Sequence, residues 1–257
     1  MVKTMNKNFF GITRPLLTTM IQTPSPAEAI QTIRNALFEG TDAFGLQVEK
    51  FAPENREEKI LSPVFAAMNG RPCYVTNYRY STNDGKTDEE LGAELLALAD
   101  VGGELFDVIG DLYDRTPGEL TMNAEAIKKQ EALIDALHAK GKQVLMSSHV
   151  LKYTCAEEVL RIALEQQKRG ADVAKIVTAG NSVEEEMENL RITTLLKKEL
   201  GIPFLFLSGG THSSRHRMFG PLLGSCMYLV AYQHDALSTK AQPLLRAAKA
   251  VRDNVDW

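Results

Sequence analysis

Short, mostly apolar runs alternate with longer amphipathic segments from one end of the chain to the other. The apolar runs predict strands over Pro15–Ile21, Ala43–Glu49, Cys73–Arg79, Phe106–Tyr113, Gln143–His149, Val173–Ala179, Phe204–Ser208 and Ser225–Ala231. Helical periodicity falls between them, over Pro26–Phe38, Glu57–Met68, Asp88–Ala99, Ala124–Ala139, Ala156–Arg169 and Val183–Leu200. A short helix is predicted near Arg217–Leu223 and a last one after Pro243. Ser25-Pro26 opens the first helix, and Gly40, Gly141, Gly170 and Gly201 stand where a left-handed C-cap favours glycine. Ser182 and Glu185 have capping-box spacing.

Eight strand–helix pairs without a linker or a composition break predict one parallel structure, and eight strands close a barrel. The expected fold is therefore a single α/β domain over residues 1–257, a (β/α)8 TIM barrel with residues 1–14 as an N-terminal extension. A doubly wound nucleotide-binding sheet would need a glycine-rich turn after its first strand. Here that strand runs into Gln22-Thr23-Pro24-Ser25 with no glycine.

Charge narrows the function classes. The net charge of −4, with Lys and Arg scattered, leaves no footprint for nucleic acid. Cys73, Cys155 and Cys226 lack CxxC spacing and predict free thiols in a reducing compartment. The apolar patch Asn8–Ile12 is too short for a signal peptide and no run matches a membrane helix, so a cytoplasmic protein with no membrane partner is expected.

In a barrel, chemistry gathers at the C-terminal ends of strands, where Glu49, Arg79, Asp111, His149, Lys175 and Ser208-Gly209-Gly210 are predicted to lie. Lys175, inside Val173-Ala174-Lys175-Ile176-Val177, is the sharpest candidate. Burial disfavours an ammonium ion and makes the amine a nucleophile able to form a Schiff base. The plainer alternative is a strand lysine that reaches outward to water. His149, one strand earlier after Ser147-Ser148, is suited to move protons near neutral pH.

These residues carry a resemblance. Pro15–Thr18, Val75-Thr76-Asn77-Tyr78-Arg79, Ser147-Ser148-His149, Ala174-Lys175-Ile176, the stretch from Arg217 to Gly224-Ser225, and Ser238 to Gln242 together resemble the type I 3-dehydroquinate dehydratases, Schiff-base lyases of the shikimate pathway that serves aromatic amino acid biosynthesis. The resemblance implies that Lys175 forms an imine with the substrate ketone and that His149 is the general acid and base. It also implies that Arg79 and Arg217 bind the substrate carboxylate and that Ser238 and Gln242 close the site. It further implies a small carboxylated ketone as partner, no metal or organic cofactor, and a homodimer, as is common in the family.

Departures cluster among the groups that would read the substrate. The family ends its second strand with Glu-x-Arg-x-Asp, where this chain has Gly45-Leu46-Gln47-Val48-Glu49. Gln47 and Glu49 thus become candidate substrate ligands. On the fourth strand, Ile109-Gly110-Asp111-Leu112 stands where the family carries Asp-x-Glu, with Asp111 as a substitute in shifted register. The substrate is then either 3-dehydroquinate or a related carboxylated ketone. A class I aldolase acting through the same lysine and a catalytically retired carboxylate-binding barrel are the competing readings. The basic loop from Ser208 to Arg217 leaves a phosphorylated substrate open. His212 and His216, four apart, lack a third metal ligand nearby and read as rim residues; Glu184-Glu185-Glu186 reads as a solvated first turn.

Overall fold

The computed structural model describes residues 14–255, so the expected N-terminal extension lies outside the described residues except for Arg14. Eight strands alternate with eight helices: β1 (Leu16–Ile21), α1 (Pro26–Glu39), β2 (Ala43–Gln47), α2 (Glu58–Ala67), β3 (Cys73–Thr76), α3 (Asp88–Val101), β4 (Leu105–Ile109), α4 (Ala124–Ala139), β5 (Gln143–His149), α5 (Ala156–Lys168), β6 (Val173–Ala179), α6 (Val183–Glu199), β7 (Phe204–Gly209), α7 (Ser214–Leu223), β8 (Met227–Val230) and α8 (Leu245–Arg252). All pairings are parallel, in the order β7-β6-β5-β4-β3-β2-β1-β8. Across the remaining seam the Cys226 amide donates to the Phe204 carbonyl at 2.8 Å. The architecture is a (β/α)8 TIM barrel.

The alternation of strand side chains divides the core in two. Inward positions such as Leu16, Met20, Tyr74, Leu105, Leu145, Val173, Leu205 and Met227 fill the barrel. Outward positions such as Leu17, Phe44, Val75, Phe106, Val144 and Met146 pack against the helices. Each fully buried aliphatic or aromatic side chain of this kind contributes about 1.5–3 kcal/mol. The same alternation sends Gln47, Asp107, Ser147, His149 and Lys175 inward. Ser147 and Lys175 are register partners across β5 and β6.

Several strands end earlier than their apolar runs suggest. After Gln47 the chain turns into a 3-10 segment, Val48–Lys50, and after Thr76 it reaches another, Ser81–Asn83. On β4, the Gly110 amide makes its last bond to the Ser147 carbonyl and the chain then turns back, with Leu112 bonding Ile109. Glu49, Arg79 and Asp111 therefore stand on turns beyond their strands, whereas Lys175 lies within β6 rather than at its end. Caps hold with two corrections. Ser25 caps α1 and Gly40, at φ 88°, ends it. Gly201 is absent from the left-handed residues that include Gly141 and Gly170. Ser182 accepts from the Glu185 amide, but the Glu185 carboxylate turns to the Asn181 amide, leaving the box half made. The full box is at Thr87 and Glu90, on α3.

One buried cation fixes the long β4–α4 loop. Arg169 donates to the carbonyls of Gly110 (3.0 Å) and Thr121 (2.6 Å), and to Gln130 Oε1 and Glu165 Oε1. Gln130 in turn donates to the carbonyls of Gly110 and Leu112. Arg169→Met would leave the buried Thr121 carbonyl and Gln130 Oε1 without their donor, and we expect it to lower stability by about 3 kcal/mol. Urea unfolding of the two proteins measures this; a loss below about 0.5 kcal/mol would show that the loop holds itself.

Candidate active site

The inward side chains leave a cavity of about 280 Å3 at the C-terminal mouth of the barrel, with Lys175 among its lining residues. Lys175 is only 3% exposed, so its amine is met almost entirely by protein. Nζ donates to Tyr74 OH at 3.0 Å and to Tyr78 OH at 2.5 Å, and lies 3.2 Å from Asp107 Oδ2. Tyr78 donates to the same Oδ2 at 2.5 Å, Tyr74 donates to it as well, and Ser147 Oγ donates to Oδ1 at 2.5 Å. Burial first, then the charge of Asp107, pushes both phenols well above their ordinary range. Both therefore keep their protons and act as hydrogen-bond donors.

His149, at the end of β5, lines the same cavity. Glu119 accepts from its Nδ1 at 2.5 Å and from its backbone amide at 3.1 Å. A carboxylate only accepts, so Nδ1 carries the proton and Nε2 is the basic nitrogen. The imidazole stands edge-on to the Tyr78 ring, centroids 5.3 Å apart.

Arg217 and Gln242 reach the cavity from the other side. Arg217 Nε donates to the Ser208 carbonyl at 2.5 Å, and among the described ion pairs no carboxylate engages its guanidinium. Burial lowers it to about 10, which leaves it cationic at neutral pH. Gln242 keeps a buried Oε1 with no partner among the described residues. The second strand contributes neutral groups: Gln22 donates to Gln47 Oε1 at 2.6 Å, and Gln47 donates to Glu49 Oε1 at 3.0 Å.

Three expected ligands do not line this cavity. Arg79 follows Tyr78 by one residue and so faces the other way; it is held by Asp88 (2.9 and 3.0 Å) and by Asp111 (2.5 Å). Tyr78 occupies the inward position instead, and Asp111 is committed to Arg79 rather than substituting for a barrel acid. Ser238 folds back on Asp235, and its neighbour Thr239 lines the cavity and bonds Gln22. Glu49 sits behind Gln47, fully buried, and accepts from Thr76 Oγ1 at 2.9 Å. Gly45, where the family has an acid, is filled: a Cβ there would lie 2.2 Å from Met20 Sδ.

Other residues missed or misread from the sequence follow the same logic. Asp107 carried a usable signal, a lone acid inside Leu105-Phe106-Asp107-Val108-Ile109 of the same kind that marks Lys175. Glu119, on an irregular loop, carried none. His216 is a core residue rather than a rim one: Nε2 lies 3.0 Å from Thr193 Oγ1, and burial lowers it to about 3. Glu186 is buried against Arg215 rather than solvated. Among the described residues no cluster of three His, Cys, Asp or Glu is placed to hold a metal ion, and no helix is long and apolar enough to cross a membrane.

A cavity at the C-terminal mouth of a (β/α)8 barrel, walled by a histidine and an arginine over a buried lysine, is the site of a barrel enzyme. The chain belongs to the type I 3-dehydroquinase family, a family of hydro-lyases, whose profile matches residues 18–253. It is 34% identical over 196 residues to the 3-dehydroquinate dehydratase of Klebsiella pneumoniae subsp. pneumoniae, covering 73% of each chain. It is 27% identical over 222 residues to that of Methanosarcina acetivorans, covering 83% of this chain and 85% of the other. The crystal structure of 3-dehydroquinate dehydratase from Geobacillus kaustophilus has the same fold, with a TM-score of 0.79, 17% identity, and coverage of 95% of this chain and 91% of that one.

Glu49 supplies a pH signature. Desolvation raises it from 4.5 to about 7. The folded state therefore binds a proton more tightly than the unfolded chain, and this stabilisation is complete below about pH 4.5 and lost as pH rises through 7. We expect wild-type stability to fall by on the order of 3 kcal/mol from this group between those limits. Glu49→Gln, whose amide oxygen still accepts, should lack that part of the slope. Urea midpoints at pH 5 and pH 8 compare the two; equal slopes would mean that the Glu49 carboxyl does not titrate in this window.

Proposed function

We propose that the protein dehydrates 3-dehydroquinate to 3-dehydroshikimate through an imine on Lys175. The observation that carries this reading is the buried Lys175 amine at the cavity, with Glu119-oriented His149 on one wall and Arg217, with which no carboxylate among the described residues pairs, on the other. Membership of the family supplies the reaction class.

Arg217 binds the substrate carboxylate, since among the described residues no carboxylate pairs with its guanidinium, whose terminal N–H donors are available for one. The ketone carbon then meets Lys175. Once the iminium forms, it draws electrons from the neighbouring C–H bond, and His149 Nε2 removes that proton. The enamine expels the β-hydroxyl, to which His149 returns its proton as water leaves. Gln47, Gln242 and Thr239 face the ring hydroxyls with neutral donors and acceptors, and Glu49 acts from behind by orienting the Gln47 amide.

Borohydride reduction in the presence of 3-dehydroquinate should fix an adduct on Lys175, found by peptide mass. Lys175→Met should show no adduct and lose dehydratase activity by on the order of 10³-fold or more. A folded wild-type protein that neither forms the adduct nor dehydrates 3-dehydroquinate would rule the proposal out. An open-chain or cyclic carboxylated ketone that traps faster would reassign the substrate while keeping the lysine chemistry, an arm motivated by Met20 filling the acid position at Gly45.

A further inference from the structure

The reach of Lys175 Nζ contains two phenols and one carboxylate, and none of the three belongs to the histidine that serves the carbon chemistry. Tyr78 OH is 2.5 Å from Nζ and 2.5 Å from Asp107 Oδ2, so it bridges the amine and the acid directly. Tyr74 OH also donates to Oδ2 but makes the longer contact to Nζ, 3.0 Å, and lies 3.1 Å from Tyr78 OH. His149 is tied at Nδ1 to Glu119 on the β4–α4 loop and meets Tyr78 by its ring edge; no hydrogen bond joins it to Lys175 among the described residues. A ketone attacked by Nζ places its oxygen beside the amine, in the cavity that Tyr74 and Tyr78 both line, and Tyr78 OH is the hydroxyl nearer to Nζ.

We propose that Tyr78, backed by Asp107, is the proton carrier of imine formation and imine hydrolysis at Lys175, leaving to His149 the proton transfers of the elimination. This rests on the imine reading above. The proton balance closes within the group. The Lys175 ammonium gives a proton to the Tyr78 oxygen as the Tyr78 hydroxyl gives its own to Asp107, which leaves a neutral amine and a neutral acid. The amine lone pair forms the N–C bond while the carbonyl π pair moves to oxygen, and one N–H proton passes through Tyr78 to that oxygen. Asp107 then returns its proton by the same hydroxyl, the C–O bond breaks with its electron pair leaving as water, and the nitrogen lone pair completes the iminium. The sum is ammonium plus ketone to iminium plus water, with Asp107 restored as a carboxylate facing the new cation. No external acid or base is consumed.

The experiment is time-resolved borohydride trapping on wild type, Tyr78→Phe and His149→Ala. The probes are 3-dehydroquinate and 4-oxopentanoate, a carboxylated ketone with no hydroxyl to expel. Tyr78→Phe should slow the appearance of the Lys175 adduct by about 100-fold or more with both ketones, the lower range for a positioned proton donor. His149→Ala should trap at close to the wild-type rate while losing dehydration. Trapping by Tyr78→Phe within about threefold of wild type overturns the assignment. Should Tyr78→Phe not fold, ring-fluorinated tyrosine at position 78 keeps shape and hydroxyl while acidifying the phenol, and an unchanged trapping rate there overturns it equally. Wild type that traps 4-oxopentanoate on Lys175 but does not dehydrate 3-dehydroquinate removes the dehydratase reading and leaves Tyr78 in its role. Wild type that traps neither ketone overturns the Tyr78 role as well.

Discussion

An ammonium and a carboxylate, both stripped of water, face each other inside the barrel at 3.2 Å: Lys175 and Asp107. Removing two such charges from water costs several kcal/mol each, and only a well-made pair with further hydrogen bonds offsets that cost. Here Tyr74, Tyr78 and Ser147 all donate to the Asp107 carboxylate, so both of its oxygens are occupied. The arrangement dictates much around it. β3 and the segment just beyond it must present tyrosines at two inward positions, β4 must place an acid in an otherwise apolar strand, and β5 must put a small hydroxyl rather than a bulky side chain opposite Lys175. Removing any one of these would strand a buried charge or hydroxyl, so the four strands form one electrostatic unit.

With the central charges balanced internally, the cavity wall is left with few charges of its own. Arg79 is neutralised by Asp88 and Asp111 on the loop side, and Glu49 is pushed up to about 7 behind Gln47. What remains to attract an anion is Arg217. The space nearest β1 and β2 is uncharged: the Met20 thioether lies against Gly45, where any larger residue would collide, and Gln22 and Gln47 line the rest. Under the proposed function, binding on that side depends on amides and hydroxyls, which discriminate by hydrogen-bond geometry, while Arg217 on α7 reads the carboxylate.

The barrel was legible in the sequence because its signal is repetitive: eight apolar runs and eight amphipathic ones reinforce one another, and errors of a few residues at strand ends do not alter the topology. Lys175 and His149 were legible because polar residues inside or ending apolar strands are costly and so informative. Asp107 has the same signature, but an apolar run extended to Tyr113 hides the turn that begins at Gly110 and points to Asp111 instead. Arg79 against Tyr78 shows the sharper limit. A one-residue error in where β3 points exchanges inside for outside, and a motif match alone cannot detect it. Glu119 and Thr239 were not legible at all. Their positions follow from loop conformations that no periodicity encodes.

Those loops are where the backbone departs most from comfortable geometry. Among the described residues five non-glycines have left-handed φ, and four of them stand on the cavity side: Ser81 (64°) beyond β3, Tyr113 (76°) and Glu119 (54°) between β4 and α4, and Leu151 (57°) after β5. Each such residue costs about 1–3 kcal/mol, so the surrounding structure must hold it in place. Glu119 shows how. The Ser148 hydroxyl donates to its carbonyl at 2.8 Å, His149 holds its carboxylate, and Arg169 and Gln130 fix the carbonyls on either side of the loop. The strained backbone and the helix α5 behind it thus act together on one imidazole, setting its tautomer and aim before any substrate arrives. Lys175 needs no comparable loop, because β6 itself carries it and the Gln166 amide on α5 grips the Lys175 carbonyl at 3.0 Å. Lys175 is thus positioned by the sheet and His149 by a strained loop, and α5 is the element that braces both.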